Sequence, residues 1–499
     1  MQPLDRRRFL TESAFLAAAA AAAPALGTLS AEEKAAANKP GSASDKLRVA
    51  VIGVRGRGRD HVGGFAGRNN CVVTTVCDVD KAEKVIGPAM RQIEKTQGKA
   101  PAFEQDLRKV IDDKNIDIIS IATPNHWHAL AAIWAMQNGK DVYVEKPVSH
   151  NVSEGRRIVE AARKYGKICQ AGMQSRSSKG MQEAIAFIHG GGIGKVKLAR
   201  GLCYKLRPSI GKVSGPQQPP SSMDYDLWCG PAPADLPHRK TGNGTVHYDW
   251  HWIWAYGNGD LGNQGIHEMD KARWGLNKDT LPKSVTSIGG RLGYVDDGET
   301  PNTQIIRFDY GDCDLVFEVR GLPSDSPFPG KKSPKRRAKP DNFVGNVWYG
   351  SKGFVVCPSY SGGVAYSNDG EILKEFSGSG DHYGNFVKAV RSRKKEDLNG
   401  DILEGHLSSA LCHLGNISYR VGHDEILPTG QVFGSKGADD AIKSMVDHMG
   451  EHKISTTDTK LRIGKKLTLD GHEKFVGDKE ADALLTREYR KGFVVPERV

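Results

Sequence analysis

Residues 47–58 read LRVAVIGVRGRG. Residues 47–52 are a short apolar, β-branched run, the pattern of a strand buried in a parallel sheet. Gly53, Gly56 and Gly58 then form a G-x-x-G-x-G turn, with Arg57 between the last two. Residues 61–65 begin the following helix. Glycines let a backbone turn sharply and approach a pyrophosphate, which the free N–H groups of a helix N-terminus stabilise. The spacing departs from the common G-x-G-x-x-G, so the strands that follow must carry part of the argument.

They do. Residues 71–77 are again β-rich and run into Asp78-Val79-Asp80. Asp78 lies 25 residues past Gly53, about where a carboxylate accepts hydrogen bonds from an adenosine ribose. An acid there repels a 2′-phosphate, so NAD is favoured over NADP. A third strand at 116–122 runs into Thr123-Pro124-Asn125-His126-Trp127-His128, and a fourth at 141–144 into Glu145-Lys146-Pro147. Alternating strands and helices predict an α/β fold whose first domain is a Rossmann-type doubly wound parallel sheet. Ligands of such sheets bind beyond the C-terminal strand ends, where these loops fall.

Ahead of this domain stands a different kind of sequence. Arg6 and Arg7 form a twin-arginine pair followed by Phe9 and Leu10, and residues 14–23 are an apolar run ending at Pro24. Ten residues fall short of the roughly 20 that span a bilayer. Residues 1–31 therefore read as a twin-arginine signal peptide and 32–45 as a linker, predicting a periplasmic or otherwise exported protein with no membrane insertion in its mature form.

The chain has 499 residues, enough for two or three domains. The net charge is +11; the leader carries three arginines against Asp5 and Glu12, so its removal leaves +10. Part of the excess lies in the Pro-containing basic stretch 331–339. Without interleaved aromatics or a recognition motif, this reads as a solvated loop with no nucleic-acid partner. The eight cysteines show no C-x-x-C pair and no zinc spacing, so mostly free, buried thiols are expected. The pair His247-x-x-x-His251 lacks a third ligand of suitable spacing, and no metal is expected.

On these motifs the chain resembles the glucose–fructose oxidoreductase / inositol dehydrogenase / rhizopine-catabolism (Gfo/Idh/MocA) family. The resemblance rests on the glycine turn, on Thr123-Pro124-Asn125 with His128, on Glu145-Lys146-Pro147, and on residues 262–270, GNQGIHEMD. It implies that Thr123, Pro124, Asn125, His128 and Glu145 line the cofactor site, and that Lys146 sits beside the nicotinamide and the substrate hydroxyl. It also implies a second α/β domain with a mainly antiparallel open sheet that mediates homo-oligomer contacts, as a dimer or tetramer. Gln174, Arg176 and Tyr204 are implied to border the active site.

The chemistry of the residues agrees. Oxidising a secondary alcohol needs a base for the hydroxyl proton while hydride leaves the carbon. Lys146 can stabilise developing alkoxide charge, and His267, with its near-neutral reference pKa, suits the base role. The family's dehydrogenases typically place an Asp four residues before the His. Here that position is Asn263, whose amide orients a substrate but takes no proton. Glu268 and Asp270 are close in sequence, and only Asp270 shares the helical face of His267.

The densest aromatic stretch, residues 247–256, contains His251 and Trp252. Such rings stack on sugar C–H faces, though a buried strand would read the same way. Residues 383–391 and 403–420 read as amphipathic helices. Residues 467–499 have helical polar character, and the tail reads as an added lobe or oligomer arm. The domain boundaries are thus 46–170 for the NAD-binding Rossmann domain, 171–430 for the substrate-binding and oligomerisation domain, and 431–499 for a C-terminal extension.

Three functions fit. The first is an NAD(P)-dependent oxidoreductase acting on a secondary alcohol of a sugar or cyclitol, its tightly bound cofactor recycled in the site. The second is a glycosidase or lyase using transient oxidation and elimination. The third is a non-enzymatic NAD-containing sugar-binding protein.

Overall fold

The computed structural model describes residues 45–328, 342–428 and 432–499. The leader, the linker up to residue 44 and the basic stretch 331–339 lie outside the described residues. Six parallel strands build the first sheet: β1 (Leu47–Ile52), β2 (Cys71–Cys77), β3 (Ala102–Glu104), β4 (Ile118–Ile121), β5 (Asp141–Val144) and β6 (Cys169–Ala171). Their order is β3-β2-β1-β4-β5-β6. The direction of winding reverses between β1 and β4, and at such a switch point the loops part to leave a ligand crevice. The strands are continuous apolar runs because both faces are covered; every residue of β4 and β5 is buried. The helix Asn125–Gln137 is buried around nearly its whole circumference, so it has partners besides the sheet.

The second sheet has eleven strands: β7 (Val196–Tyr204), β8 (Ser284–Gly290), β9 (Thr303–Asp309), β10 (Asp314–Arg320), β11 (Phe343–Gly350), β12 (Gly353–Cys357), β13 (Gly363–Ser367), β14 (Ile372–Phe376), β15 (His423–Ile426), β16 (Lys460–Ile463) and β17 (Leu467–Thr468). The order is β14-β13-β12-β11-β7-β10-β9-β8-β16-β15, with β17 also on β8. All pairings are antiparallel except β7 with β10. The helix Gly265–Gly275 is bolted to this sheet: Asn346 donates to the Glu268 carbonyl at 2.7 Å, and a Cβ at Gly275 would stand 2.1 Å from the Trp348 indole nitrogen.

Two features differ from the linear domain reading. The helix His382–Ser392 returns to the first domain, where Phe386, Val387 and Val390 pack with Val49, Val51 and Phe65. Residues beyond 431 are no separate lobe. The strands β16 and β17 extend the second sheet, and the helix Lys436–Glu451 buries Ala438, Ala441, Ile442 and Met445 against Ile288, Ile305 and Val316. Of the stretch read as helical from 467 to 499, only Lys479–Ala483 forms an α-helix. Its polar side chains are instead tied to the body, as where Glu473 accepts from His406 at 2.8 Å and from Arg156 at 2.5 Å. All eight cysteines are free and buried. No helix among the described residues is long and apolar enough to cross a membrane.

Candidate active site

The glycine turn closes on itself. Gly53 has φ +83°, and a Cβ there would lie 2.7 Å from the Ala122 carbonyl oxygen. A Cβ on Gly58 would lie 1.8 Å from the Gly53 carbonyl oxygen. Both glycines are demanded by the protein's own packing. Gly56 is different: no described atom lies within 4 Å of its would-be Cβ, and it lines the cavity above the strand ends. Its open backbone suits the approach of a pyrophosphate.

Asp78, at the end of β2, lines the same cavity. Its carboxylate accepts from the backbone N–H of Val54 at 2.9 Å and of Asp80 at 3.0 Å. Burial nevertheless pushes its pKa up to about 6. Three polar atoms lining the cavity are buried with no hydrogen-bond partner among the described residues: Thr123 Oγ1, Asn125 Oδ1 and Asn263 Nδ2. Buried polar groups rarely go unpaired. Together with the open Gly56 and the Asp78 carboxylate, they fit a dinucleotide with ribose hydroxyls and a carboxamide.

His128 plays a bracing part. Its Nδ1 is 2.6 Å from the Pro147 carbonyl and its Nε2 2.7 Å from the Thr123 carbonyl, so the ring ties the loop after β4 to the loop after β5. Pro124 and His128 both border the cavity.

Glu145 gathers three donors on one oxygen: Arg57 Nε at 3.0 Å, His61 Nε2 at 3.1 Å and Gln174 Nε2 at 3.0 Å. Burial pushes its carboxyl up, but the Arg57 charge and the His61 hydrogen bond prevail and hold it well below the usual range. A Cβ at Gly172 would lie 2.7 Å from the same carboxylate. Lys146 follows directly, its Nζ donating to the Asn263 carbonyl at 2.6 Å. Burial lowers its pKa, against the pull of Glu145.

His267 lies one helical turn beyond Asn263. Its pKa falls well below the ordinary value, first from burial and then from the Lys146 charge, so the imidazole is neutral. Its ring stands edge-on to Tyr360, with centroids 5.3 Å apart. Among the described residues no carboxylate bonds this ring. Asp270, the acid on its face, is taken by Arg176 at 2.8 Å and by the Ser408 hydroxyl at 2.8 Å. Glu268 is fully buried, and burial pushes it up to about 7.

Several residues expected at the substrate lie elsewhere. Arg176 is sequestered between Asp270 and Glu404, with its guanidinium 5.0 Å from the centre of the Trp274 ring. Tyr204 donates to Glu318 at 2.7 Å, inside the sheet. Trp252 is buried under the Arg207 guanidinium, 5.2 Å away. Gln174, by contrast, stands directly behind the cavity wall, donating to the cavity-lining Glu145 and to the Tyr143 hydroxyl, both at 3.0 Å. His251 does line the cavity, stacked 3.6 Å from Trp250, and burial drives its pKa to about 3. The aromatic stretch is no strand; Asp249–Trp252 is a 3-10 turn. His247 bonds Asp80 at 2.9 Å while His251 faces the Tyr248 carbonyl, so the two rings share no ligand point.

The sequence alone gives no role to Arg55, His61 or Trp228, and it marks the stretch 247–256 for a substrate without singling out His247, Tyr248 or Trp250. Arg55, Trp228, His247, Tyr248 and Trp250 line the cavity, and His61 buttresses Glu145. His61 had a signal, since it sits one helical turn past Arg57. Trp228 had none.

A parallel Rossmann sheet joined to a large mixed sheet, with an open glycine turn, a strand-end acid and a buried lysine around one cavity that His267 does not line, defines an NAD-binding oxidoreductase architecture. Residues 47–173 match the family model described as the NAD-binding Rossmann fold of the Gfo/Idh/MocA oxidoreductases, and residues 193–328 match the model of their C-terminal alpha/beta domain. The chain belongs to the Gfo/Idh/MocA oxidoreductase family. It is 30% identical over 199 residues to the alpha-N-acetylgalactosaminidase of Shewanella oneidensis, a match covering 37% of this chain and 42% of that protein. It is 30% identical over 160 residues to the inositol 2-dehydrogenase of Salmonella typhimurium, covering 32% and 46%. The matched segments thus span less than half the length of these curated relatives. Among solved structures, the WlbA dehydrogenase of Bordetella pertussis, in complex with NADH and UDP-GlcNAcA, superposes with a TM-score of 0.54 at 20% identity, over 77% of this chain and 100% of that one. This likeness is one of fold.

Proposed function

We propose that the protein is an NAD-dependent oxidoreductase acting on a secondary alcohol of a sugar or cyclitol, with the cofactor retained and recycled in the site. The observation that carries this reading is the cavity at the strand ends, where the open Gly56, the Asp78 carboxylate, the unpaired polar atoms of Thr123, Asn125 and Asn263, and the buried Lys146 converge. When bound, the nicotinamide accepts a hydride and later returns it. Lys146 hydrogen-bonds the substrate oxygen and stabilises its developing negative charge. His267 takes the hydroxyl proton. The free Asn263 amide donates to a neighbouring substrate oxygen. Relatives named for an inositol and for an amino sugar support a polyhydroxylated substrate.

Export through the leader at 1–31 fits a cofactor loaded before transport, because NAD outside the cytoplasm has no obvious recycling partner. One substrate would be oxidised and a second reduced in the same cavity. A second reading is favoured by Asn263, an amide where the family's simple dehydrogenases carry an acid: transient oxidation, elimination across a glycosidic bond and re-reduction.

The deciding experiment denatures purified protein and identifies the released nucleotide, then follows reduced-nicotinamide absorbance as sugars and cyclitols are added. Stoichiometric change on sugar addition supports the oxidoreductase. Cleavage of aryl glycosides without net change supports the second reading. An empty protein that binds no NAD sinks both.

A further inference from the structure

One wall of the cofactor cavity comes from neither sheet. Residues 205–258 join β7 to the helix Gly259–Asn263 and contain no strand of their own among the described residues. Their only regular pieces among the described residues are the short helix Tyr225–Cys229 and the 3-10 turns Gly242–His247 and Asp249–Trp252, and connections this long are uncommon in compact domains and usually functional. This one lies on the cofactor-binding loops. Lys81 N donates to the Ser222 carbonyl at 3.1 Å and Asp224 N to the Val79 carbonyl at 2.9 Å, flanking a bridge between Asp80 and Met223. His247 Nε2 is 2.9 Å from the Asp80 carboxylate, two residues from Asp78.

Farther along, the Trp228 carbonyl lies 2.8 Å from His126 Nε2, and the Leu227 carbonyl accepts from Trp127 Nε1 at 2.9 Å. Gly230 (φ +46°) is pressed so close that a Cβ would stand 2.2 Å from the Trp127 ring. Trp228, His247 and Trp250 share the cavity with Asp78 and Asn125. The end of the chain fastens this segment from outside. Arg490 pairs with Asp226, Arg487 donates to the Ala255 carbonyl at 2.9 Å, and Phe493 meets Trp127 edge-on at 5.6 Å.

We infer that residues 205–258 are a strap that retains the dinucleotide, contributing Trp228, His247 and Trp250 to the cofactor site, and that residues 487–493 are its buckle. The strap is tied to the segment Val79–Lys81 that follows Asp78, so it guards the adenosine end and the cofactor leaves only when the strap lifts. The inference rests on the NAD reading above and deepens it.

The test loads the full-length protein with NADH and follows its fluorescence as excess NAD displaces it. A Lys81→Cys, Ser222→Cys pair places thiols on facing residues of a two-strand contact, a geometry that a disulfide can span. Oxidation is expected to slow NADH release at least tenfold, and reduction to restore the original rate. His247→Ala and Phe493→Ala, one inside the cavity and one outside it, are expected to speed release about tenfold. Release that is equal in oxidised and reduced protein, or within twofold of the unsubstituted rate in both single variants, overturns the strap while leaving the NAD reading intact. Failure of the unsubstituted protein to bind NADH overturns both.

Discussion

At the reacting end, burial and charge set one residue's protonation. His267 is held neutral by burial and by the Lys146 charge, so its acid limb lies below the ordinary histidine range. Asn263→Asp would put a carboxylate one turn away and raise that pKa. The acid limb of the rate profile is then expected to move to higher pH, and an unmoved limb removes any proton-tuning role from position 263. His267→Ala should cost about 10²- to 10⁴-fold in turnover, the usual worth of a positioned base. Asp78 titrates in the opposite sense. Burial raises its folded-state pKa to about 6, so its contribution to the empty protein's stability is full below the ordinary carboxylate pKa and is lost as pH rises through about 6. Ribose hydroxyls donate best to the ionised form. NAD affinity should therefore weaken as pH falls through about 6, and Asp78→Asn should flatten that dependence while lowering affinity at neutral pH by about tenfold or more. Fluorescence titration with NADH across this range checks both outcomes.

At the scale of elements, the glycine turn separates folding from binding. Gly58→Ala drives a methyl to 1.8 Å from the Gly53 carbonyl oxygen; thermal unfolding of the empty protein should drop by several degrees. Gly56→Ala meets nothing in the protein, so the empty protein should melt normally while NAD binding weakens about tenfold or more, because the methyl occupies the pyrophosphate's approach. Equal effects of the two substitutions on melting would mean that Gly56 is structural too. The same turn shows what was legible in the sequence. Parallel strands buried on both faces are continuous apolar runs, so β1, β2, β4 and β5 could be read directly, and the helices His382–Ser392 and Ile402–Arg420 were read to within a residue. Local patterns do not name distant partners. Arg176 looked like a substrate ligand because nothing nearby in sequence reveals that Asp270 and Glu404 enclose it. The last 33 residues looked helical because their polarity matches an exposed helix, whereas their charges are spent on pairs such as Arg156–Glu473 and Arg490–Asp226. The strap had no signal beyond its aromatics, since its shape is dictated by the surface it covers.

At the scale of the whole molecule, the cofactor cavity is closed by parts contributed late in the chain, and this bears on when NAD enters. The strap supplies Trp228, His247, Tyr248, Trp250 and His251 to the cavity and is fastened from outside by residues 487–493, so on the strap reading retention begins only after the end of the chain has folded. The thiols tell the same story. All eight cysteines are buried and free, and burial pushes Cys71 up to about 12 and Cys229 up to about 11. Such groups do not react while the fold is intact. A disulfide-forming reagent should find almost no thiol in the native protein and eight after denaturation; fewer than about six on denaturation would point to folding in an oxidising compartment. The proposed export of a folded protein suits a chain whose eight thiols are buried and free and whose proposed cofactor is loaded before transport. Arg6→Lys together with Arg7→Lys should therefore strand the protein inside the cell with NAD already bound, whereas the exported protein should carry about one NAD per chain without any added outside. Cell fractionation followed by release and identification of the nucleotide measures both. Exported protein that is empty but folded, and that fills when NAD is supplied, would separate retention from transport and leave the leader unconnected with the cofactor.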